Sequence, residues 1–204
     1  VLSGSVDIGL AGPEAAIYVM GEGREDYPQV FAQLTQRDGS FLVGREPDED
    51  FQWEDLKGGH LLPGRKGGVP YMTLEYEVRE PGLSPGEDVL FDDSVDFSLM
   101  ASAFAAGTGD YVTIFEPTAS AMEMQGQGYI LASVGEASGE VPFTAYFAAG
   151  SRIDEDPELF EGFTRAVYRG QKWVEEHSAE EVAEVLQPYF ADTDLEVLVS
   201  VVEN

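Results

Sequence analysis

The loop Gly64-Arg65-Lys66-Gly67-Gly68 holds the only two adjacent basic residues of the chain. Glycines let backbone N–H groups come close to a ligand, and a helix starting directly behind them adds positive potential. The loop follows an apolar run at residues 60–62 and leads into Val69. It therefore reads as a strand-to-helix turn that cradles a small anion or polar group. An ordinary tight turn with two solvated basic side chains explains the same residues, since glycine serves both. No Lys-Ser or Lys-Thr step follows, so the loop is not a nucleotide P-loop.

Two further places share one design: Gly12-Pro13-Glu14 and Glu116-Pro117 each put Glu and Pro between an apolar strand and a helix start. In doubly wound sheets the carboxyl ends of strands face the ligand crevice, so both carboxylates are candidates for ligand contact. Capping of the helix dipole is the competing account of each. The extended stretch 143–148 alternates, placing Thr144 and Tyr146 on one face and Phe143 and Phe147 on the other. The first pair is a candidate to line a cleft, and the second reads as core.

Enzyme templates fit poorly. Gly-x-Ser-x-Gly, His-Glu-x-x-His and a full Gly-x-Gly-x-x-Gly after a strand are all missing. The two histidines read as structural (His60) and as a helix-end complement (His177). The acidic runs 48–50, 92–93 and 154–156 lack calcium-loop spacing and read as surface carboxylates or caps. With no cysteine, disulfides, thiolate metal sites and cysteine nucleophiles are excluded. Neither a metal nor a cofactor is expected.

Charge narrows the partners. The 204 residues carry 39 Asp+Glu against 11 Lys+Arg, a net charge of −28. Such a chain is repelled by phosphate backbones and anionic membranes, which argues against nucleic-acid binding. A hydrophobic share of 43% argues against disorder. The excess of carboxylates suits either a salt-adapted surface or a generic acidic extracellular protein. Val1 is not Met and no signal segment precedes it, and the last apolar run meets the chain end without a stop. Truncation at both ends is the expectation.

Strands are expected at 6–11, 29–35, 40–43, 60–62, 88–91, 110–115, 129–134 and 143–148. Helices are expected at 15–20, 53–56, 69–78, 95–106, 117–124, 157–177 and 179–190, with a last one after Asp194. Asp38-Gly39 reads as a tight turn joining 29–35 and 40–43 as partner strands. Asp154 or Asp156 can cap the 157–177 helix, and Ser178 with Glu181 forms a capping box. The alternation argues an α/β fold with mostly parallel sheets flanked by helices. Composition breaks at 44–59 and 135–142 bracket a central block, as if one lobe were inserted in another.

Six motifs then recur together and in order: Asp7-Ile-Gly-Leu-Ala-Gly-Pro-Glu14, Phe31-Ala-Gln-Leu-Thr-Gln-Arg-Asp-Gly39, Trp53-Glu-Asp-Leu-Lys-Gly58, Gly64-Arg-Lys-Gly-Gly-Val-Pro70, Gly109-Asp-Tyr-Val-Thr-Ile-Phe-Glu-Pro117 and Phe143-Thr-Ala-Tyr-Phe-Ala148. In order and spacing the chain resembles the substrate-binding proteins of ABC importers of the nitrate, sulfonate, taurine and thiamine-precursor group.

The resemblance implies a two-lobed type II periplasmic-binding-protein fold that lacks the N-terminal strands of lobe one. Lobe one would be 1–58 with 137–204, lobe two 59–136, and the hinge would lie near 44–60 and 133–146. It implies an extracytoplasmic receptor, periplasmic or lipid-anchored, that is monomeric and passes its small-molecule ligand to membrane permease subunits. Gly12, Pro13 and Glu14 would face the cleft from lobe one. Arg65, Lys66, Gly67, Gly68, Val69 and Glu116 would face it from lobe two, with Thr144 and Tyr146 on the hinge side. The alternative is an enzyme on the same fold, like the fungal thiamine-pyrimidine synthases. Those rely on a cysteine-rich iron site, which this chain has no residues to build.

Overall fold

Short apolar runs separated by Gly and Pro give this chain many small elements. The computed structural model describes residues 1–203. Strand β1 (Gly9–Ala11) ends at Gly12-Pro13, and helix α1 (Glu14–Gly21) follows with Glu14 in its first turn. Strands β2 (Pro28–Thr35) and β3 (Ser40–Gly44) come next. A 3-10 turn at Trp53–Leu56, capped reciprocally by Gln52 and Asp55, leads to β4 (His60–Leu62) and helix α2 (Val69–Arg79). Strand β5 (Leu90–Phe91) precedes a 3-10 turn at Phe97–Leu99 that runs into α3 (Met100–Ala105). Then come β6 (Tyr111–Phe115), α4 (Thr118–Met124), β7 (Tyr129–Ser133) and α5 (Val134–Ser138). Strand β8 (Thr144–Ala149), α6 (Gly150–Glu155), α7 (Pro157–Glu176), α8 (Ala179–Leu186) and α9 (Leu195–Glu203) complete the order.

Several expectations shift for local reasons. The 95–106 helix starts as a 3-10 turn and becomes α-helical only from Met100. The 179–190 helix stops at Leu186 and ends as a 3-10 turn holding Pro188, which has no N–H to donate. Helices α5 and α6 are too short for a periodicity signal. A side-chain cap still marks the first, where the Ser133 hydroxyl accepts from Glu136 N at 3.2 Å. Asp156 caps α7 by accepting from Leu159 N at 3.3 Å.

The chain divides into two units: Val1–Arg37 with Glu140–Ser178, and Asp38–Gly139 with the residues from Ala179 onward. Residues 38–58 and the segment after Ser178 thus fall in the unit of the central block, whereas the sequence reading grouped them with lobe one. Backbone pairing explains the first difference, because β3 bonds to β6 and β7 and belongs to their sheet. Packing explains the second, because α9 rests on α4.

The first unit holds a three-stranded sheet, β1-β8-β2. Its central β8 runs against both neighbours. Phe31, Tyr146, Phe160 and Phe163 pack together between this sheet and α7, with Phe31 and Phe160 edge to face at 5.0 Å.

The second unit holds a five-stranded sheet, β5-β4-β6-β3-β7. Strand β4 is parallel to β5 and β6, and β3 is antiparallel to β6 and β7. Mostly parallel sheets were expected, and in each sheet every strand but one does point the same way. The reversed strand is internal in both, so four of the six ladders are antiparallel. The expected β2–β3 hairpin does not form, because the two strands lie in different sheets. Neighbouring residues of the five-stranded sheet enter opposite cores: Leu42 and Leu61 face α2, while Val43 and Leu62 face Met100 and Phe104. Burial on both faces is why these strands read as unbroken apolar runs.

Asp38 is what interrupts the hairpin. It is 5% exposed, and its carboxylate accepts from Ser40 N at 2.7 Å and from the Thr73 hydroxyl on α2. A Cβ on Gly135 would stand 2.0 Å from the Asp38 carbonyl oxygen, so α5 meets this backbone at a distance only glycine allows. Burial pushes the Asp38 carboxyl up, against the lowering pull of its bonds from Thr73 and Ser40.

Arg45 closes the far end of the same sheet. Its guanidinium donates to the carbonyls of Phe104 (2.6 Å), Thr108 (2.9 Å) and Gly109 (2.7 and 3.0 Å) and lies 3.7 Å from the Phe104 ring centroid. This fork fixes the turn between α3 and β6.

Two outcomes follow. Arg45→Ala, which removes the guanidinium bonds to the Thr108 and Gly109 carbonyls while Phe104 O keeps Gly107 N, is expected to cost about 3 kcal/mol in a denaturant titration; a loss below about 1 kcal/mol would contradict the clamp. For Asp38 the folded carboxyl binds its proton more tightly than the unfolded one, so its contribution to stability grows as pH falls from the raised value toward 3.8. The melting temperature of the wild type relative to Asp38→Asn should therefore rise between pH 7 and pH 4, and a flat difference would refute the burial argument.

Candidate functional site

The sequence-derived residues fall into two sets, one in each unit. In the first unit, Gly12, Pro13 and Glu14 form the turn from β1 into α1. Strand pairing sets Leu10 opposite Tyr146 and Ala11 opposite Ala145, so this turn shares a sheet end with Thr144. A Cβ on Gly12 would stand 2.0 Å from Glu14 Oε2, because the Glu14 carboxylate folds back over the glycine. The Thr144 and Thr35 hydroxyls lie 2.5 Å apart, and Thr144 N donates to Thr35 Oγ1 at 3.1 Å. Tyr146 shares the face of Thr144, but its ring packs within the unit, edge to face on Phe163 at 4.8 Å and stacked on Phe31 at 6.4 Å.

In the second unit, β4 and β6 lie side by side and parallel, with Leu62 opposite Val112. The loop after β4 and the residue after β6 therefore share one sheet edge, which brings 64–69 and Glu116 to the same end. Gly64 (φ +87°) and Gly67 (φ +83°) are left-handed, which accounts for glycine at both. Gly68 N donates to Arg65 O at 3.2 Å, and Gly68 enters α2 in extended conformation with Val69 buried behind it. Arg65 and Lys66 stand exposed on the outside of this turn. Glu116 accepts from Ser120 N at 3.0 Å and from the Ser120 hydroxyl at 2.7 Å. This is the capping role foreseen as its alternative, and the Glu116–Pro117 bond is cis.

The histidines are structural. His60 Nε2 lies 2.9 Å from Asp92 Oδ2, and the Ser94 hydroxyl holds the other oxygen at 2.5 Å. The Ser94 bond, then His60, lower the Asp92 carboxyl. His177 Nδ1 lies 2.6 Å from the Trp173 carbonyl, so this nitrogen carries the proton and complements the end of α7. Among the described residues no group of three His, Asp or Glu is placed to hold a metal ion.

Sequence reasoning missed a concavity of about 390 Å³ in the second unit, lined by Lys66, Gly67, Tyr71, Glu75, Phe91 and Asp93 among others. Tyr71 had been read only as a position within a helix, and Asp92-Asp93 as surface charge. The one signal was spacing. Tyr71 sits four residues after Gly67, one helical turn from the glycine loop.

Known proteins align with this frame. The model of the NMT1-like family matches residues 1–187. YtlA, a candidate binding protein of Bacillus subtilis (strain 168), is 45% identical over 204 residues, which are all of this chain and 61% of that protein. The alkanesulfonate-binding protein SsuA from Xanthomonas axonopodis pv. citri, bound to MOPS, superposes with a TM-score of 0.76 at 18% identity, over 98% of this chain and 67% of that one. The periplasmic nitrate-binding protein NrtA from Synechocystis PCC 6803 gives 0.73 at 18% identity, over 97% of this chain and 55% of that one. The chain thus spans less than two thirds of YtlA. The solved structures share its fold, the α/β periplasmic-binding-protein type. From the match over residues 1–187, the chain belongs to the NMT1-like family.

Proposed function

We propose that this chain is the major part of an extracytoplasmic solute receptor of an ABC importer, a binding protein and not an enzyme. It captures a small polar or heteroaromatic ligand by hinge closure and passes it to permease subunits in the membrane. The observation that carries the reading is the family match along residues 1–187, on a fold with two α/β units. Two solved neighbours are named for alkanesulfonate and nitrate, which are small anions. Among the described residues no helix is long and apolar enough to cross a membrane.

In this reading Gly12, Pro13, Glu14, Thr144 and Tyr146 serve the ligand from one lobe, and Arg65, Lys66, Gly67, Gly68, Val69 and Glu116 from the other. The glycines allow close approach of the backbone, and Lys66 supplies positive charge. A ligand shifts an open–closed equilibrium because both lobes hold it only when closed. The chain passes between units at 37–38, 139–140 and 178–179, and the hinge, expected near 44–60 and 133–146, would lie at the first two of these passages. There Val141 N donates to Gln36 O at 2.9 Å and Phe143 N to Thr35 O at 3.2 Å, pairing the two segments. The receptor would act as a monomer.

The test is a thermal-shift screen of the full-length protein against nitrate, alkanesulfonates, pyrimidines and riboflavin-like compounds. A saturable rise without turnover supports the reading; product formation, or no shift with any of them, would overturn it. Lys66→Ala is expected to weaken an anionic ligand by about three- to tenfold, and unchanged affinity would remove Lys66 from the site.

A further inference from the structure

We propose that Glu77 is a proton-operated latch: while neutral it seats helix α2, and with it the glycine turn at 64–68, on the core of the second unit, and once ionised it lets them open. The latch lies wholly within the second unit. Its effect on a ligand rests on the receptor reading, but the latch itself does not.

Glu77 is 6% exposed and is the one buried glutamate among the described residues. Its Oε1 is shut off from solvent and has no hydrogen-bond partner among them. A buried carboxyl normally has one. The residue lies on the inner face of α2 between Leu74 and Val78, which pack with Leu42, Leu61 and Val134. Thr73, one turn earlier on the same side, has its hydroxyl engaged by Asp38. A neutral carboxyl is tolerated in such a place, whereas an ionised one is not.

No cation answers this charge. On α2 itself Arg79 is held by Glu75 at 2.8 Å. The 3-10 turn at Trp53–Leu56 and helix α5 pack against α2, and their charged groups are Glu54, Asp55 and Glu136, all acidic. Lys57, just after that turn, lies 3.6 Å from Asp88, and His60 on β4 lies against Asp92. Glu87 and Asp88 belong to the loop that carries Leu83 and Val89 into the same core, and Asp38 stands at the entry to β3. Burial, then Glu80, push the Glu77 carboxyl up. Its place in the last turn of α2 acts in the same sense, because that end of a helix disfavours negative charge. The folded carboxyl thus holds its proton more tightly than the unfolded one. The stability it lends is complete at low pH and is lost as pH rises through the raised value.

Ionised, the group reaches water by local opening of α2. The helix has only three turns, with Gly68 as its N-terminal cap and Val69 buried behind the glycine turn, so opening reaches that turn as well.

The experiment is hydrogen–deuterium exchange of the full-length protein at pH 5 and pH 8, corrected for intrinsic rates and read on segment 64–80. Wild-type exchange there is expected to rise about threefold or more between the two values. Glu77→Gln keeps the shape and cannot ionise, so its exchange should be equal at both. Glu77→Leu should behave likewise, and carries the test if the glutamine variant is unstable. Asp38→Asn should leave the rise in place, which separates the two buried carboxyls. A wild type without the rise, a rise that persists in Glu77→Gln and Glu77→Leu, or one abolished by Asp38→Asn would each overturn the proposal. No ligand enters this measurement, so its failure is distinct from failure of the thermal-shift screen.

Discussion

The second unit depends on one short strand that runs the wrong way. Ser40–Gly44 pairs with β6 on one side and β7 on the other. Without it, β7 has no neighbour and the helices on both faces lose the sheet centre they cover. Its residues Leu42 and Val43 are fully buried toward opposite cores, so the strand also joins the two apolar layers. Orientation comes from the connection before it: Asp38 ties the strand's first residue to α2 through Thr73, and that helix begins at the glycine turn. The candidate ligand loop is therefore positioned from two directions, by β4 in sequence and by the reversed strand across α2.

What the sequence made legible was what local periodicity and breakers report. Gly12-Pro13, Pro70 and Asp156-Pro157 marked helix starts, and the paired apolar runs marked strands buried on both faces. Pairing across long separations was not legible. Asp38-Gly39 carries the letters of a hairpin turn, yet the carboxylate is drawn inward by Thr73, 35 residues away. Nothing local reveals that competition. The same holds for the first division between units: composition shifts around 44–59, while the chain leaves its first unit at Arg37 without any change in composition.

The candidate site was legible in part. A tight glycine-rich turn was expected at 64–68, and there Gly64 and Gly67 take positive φ. Glu116 carried two accounts, and its bonds to Ser120 match the capping one. Tyr146 was aligned by alternation with Thr144, but alternation says which face a ring occupies and not what covers it. Here Phe31 and Phe163 do. The Tyr71 concavity depends on residues from α2, the 85–86 turn and the end of β5, a set that no spacing rule joins.

The close approach of Gly135 to Asp38 has a consequence for chain length. The backbone of α5 and the entry to β3 touch without room for a methyl group, and the carboxylate at that point is fixed from two sides. An inserted or deleted residue between Thr35 and Ser40 would have to reverse the faces of Leu42 and Val43 or pull Asp38 off its bonds. The exposed acidic stretch 46–50 has no such contacts and can change length freely. Length variation across relatives should therefore collect in 46–50 and be nearly absent from 36–40, whatever each of them binds.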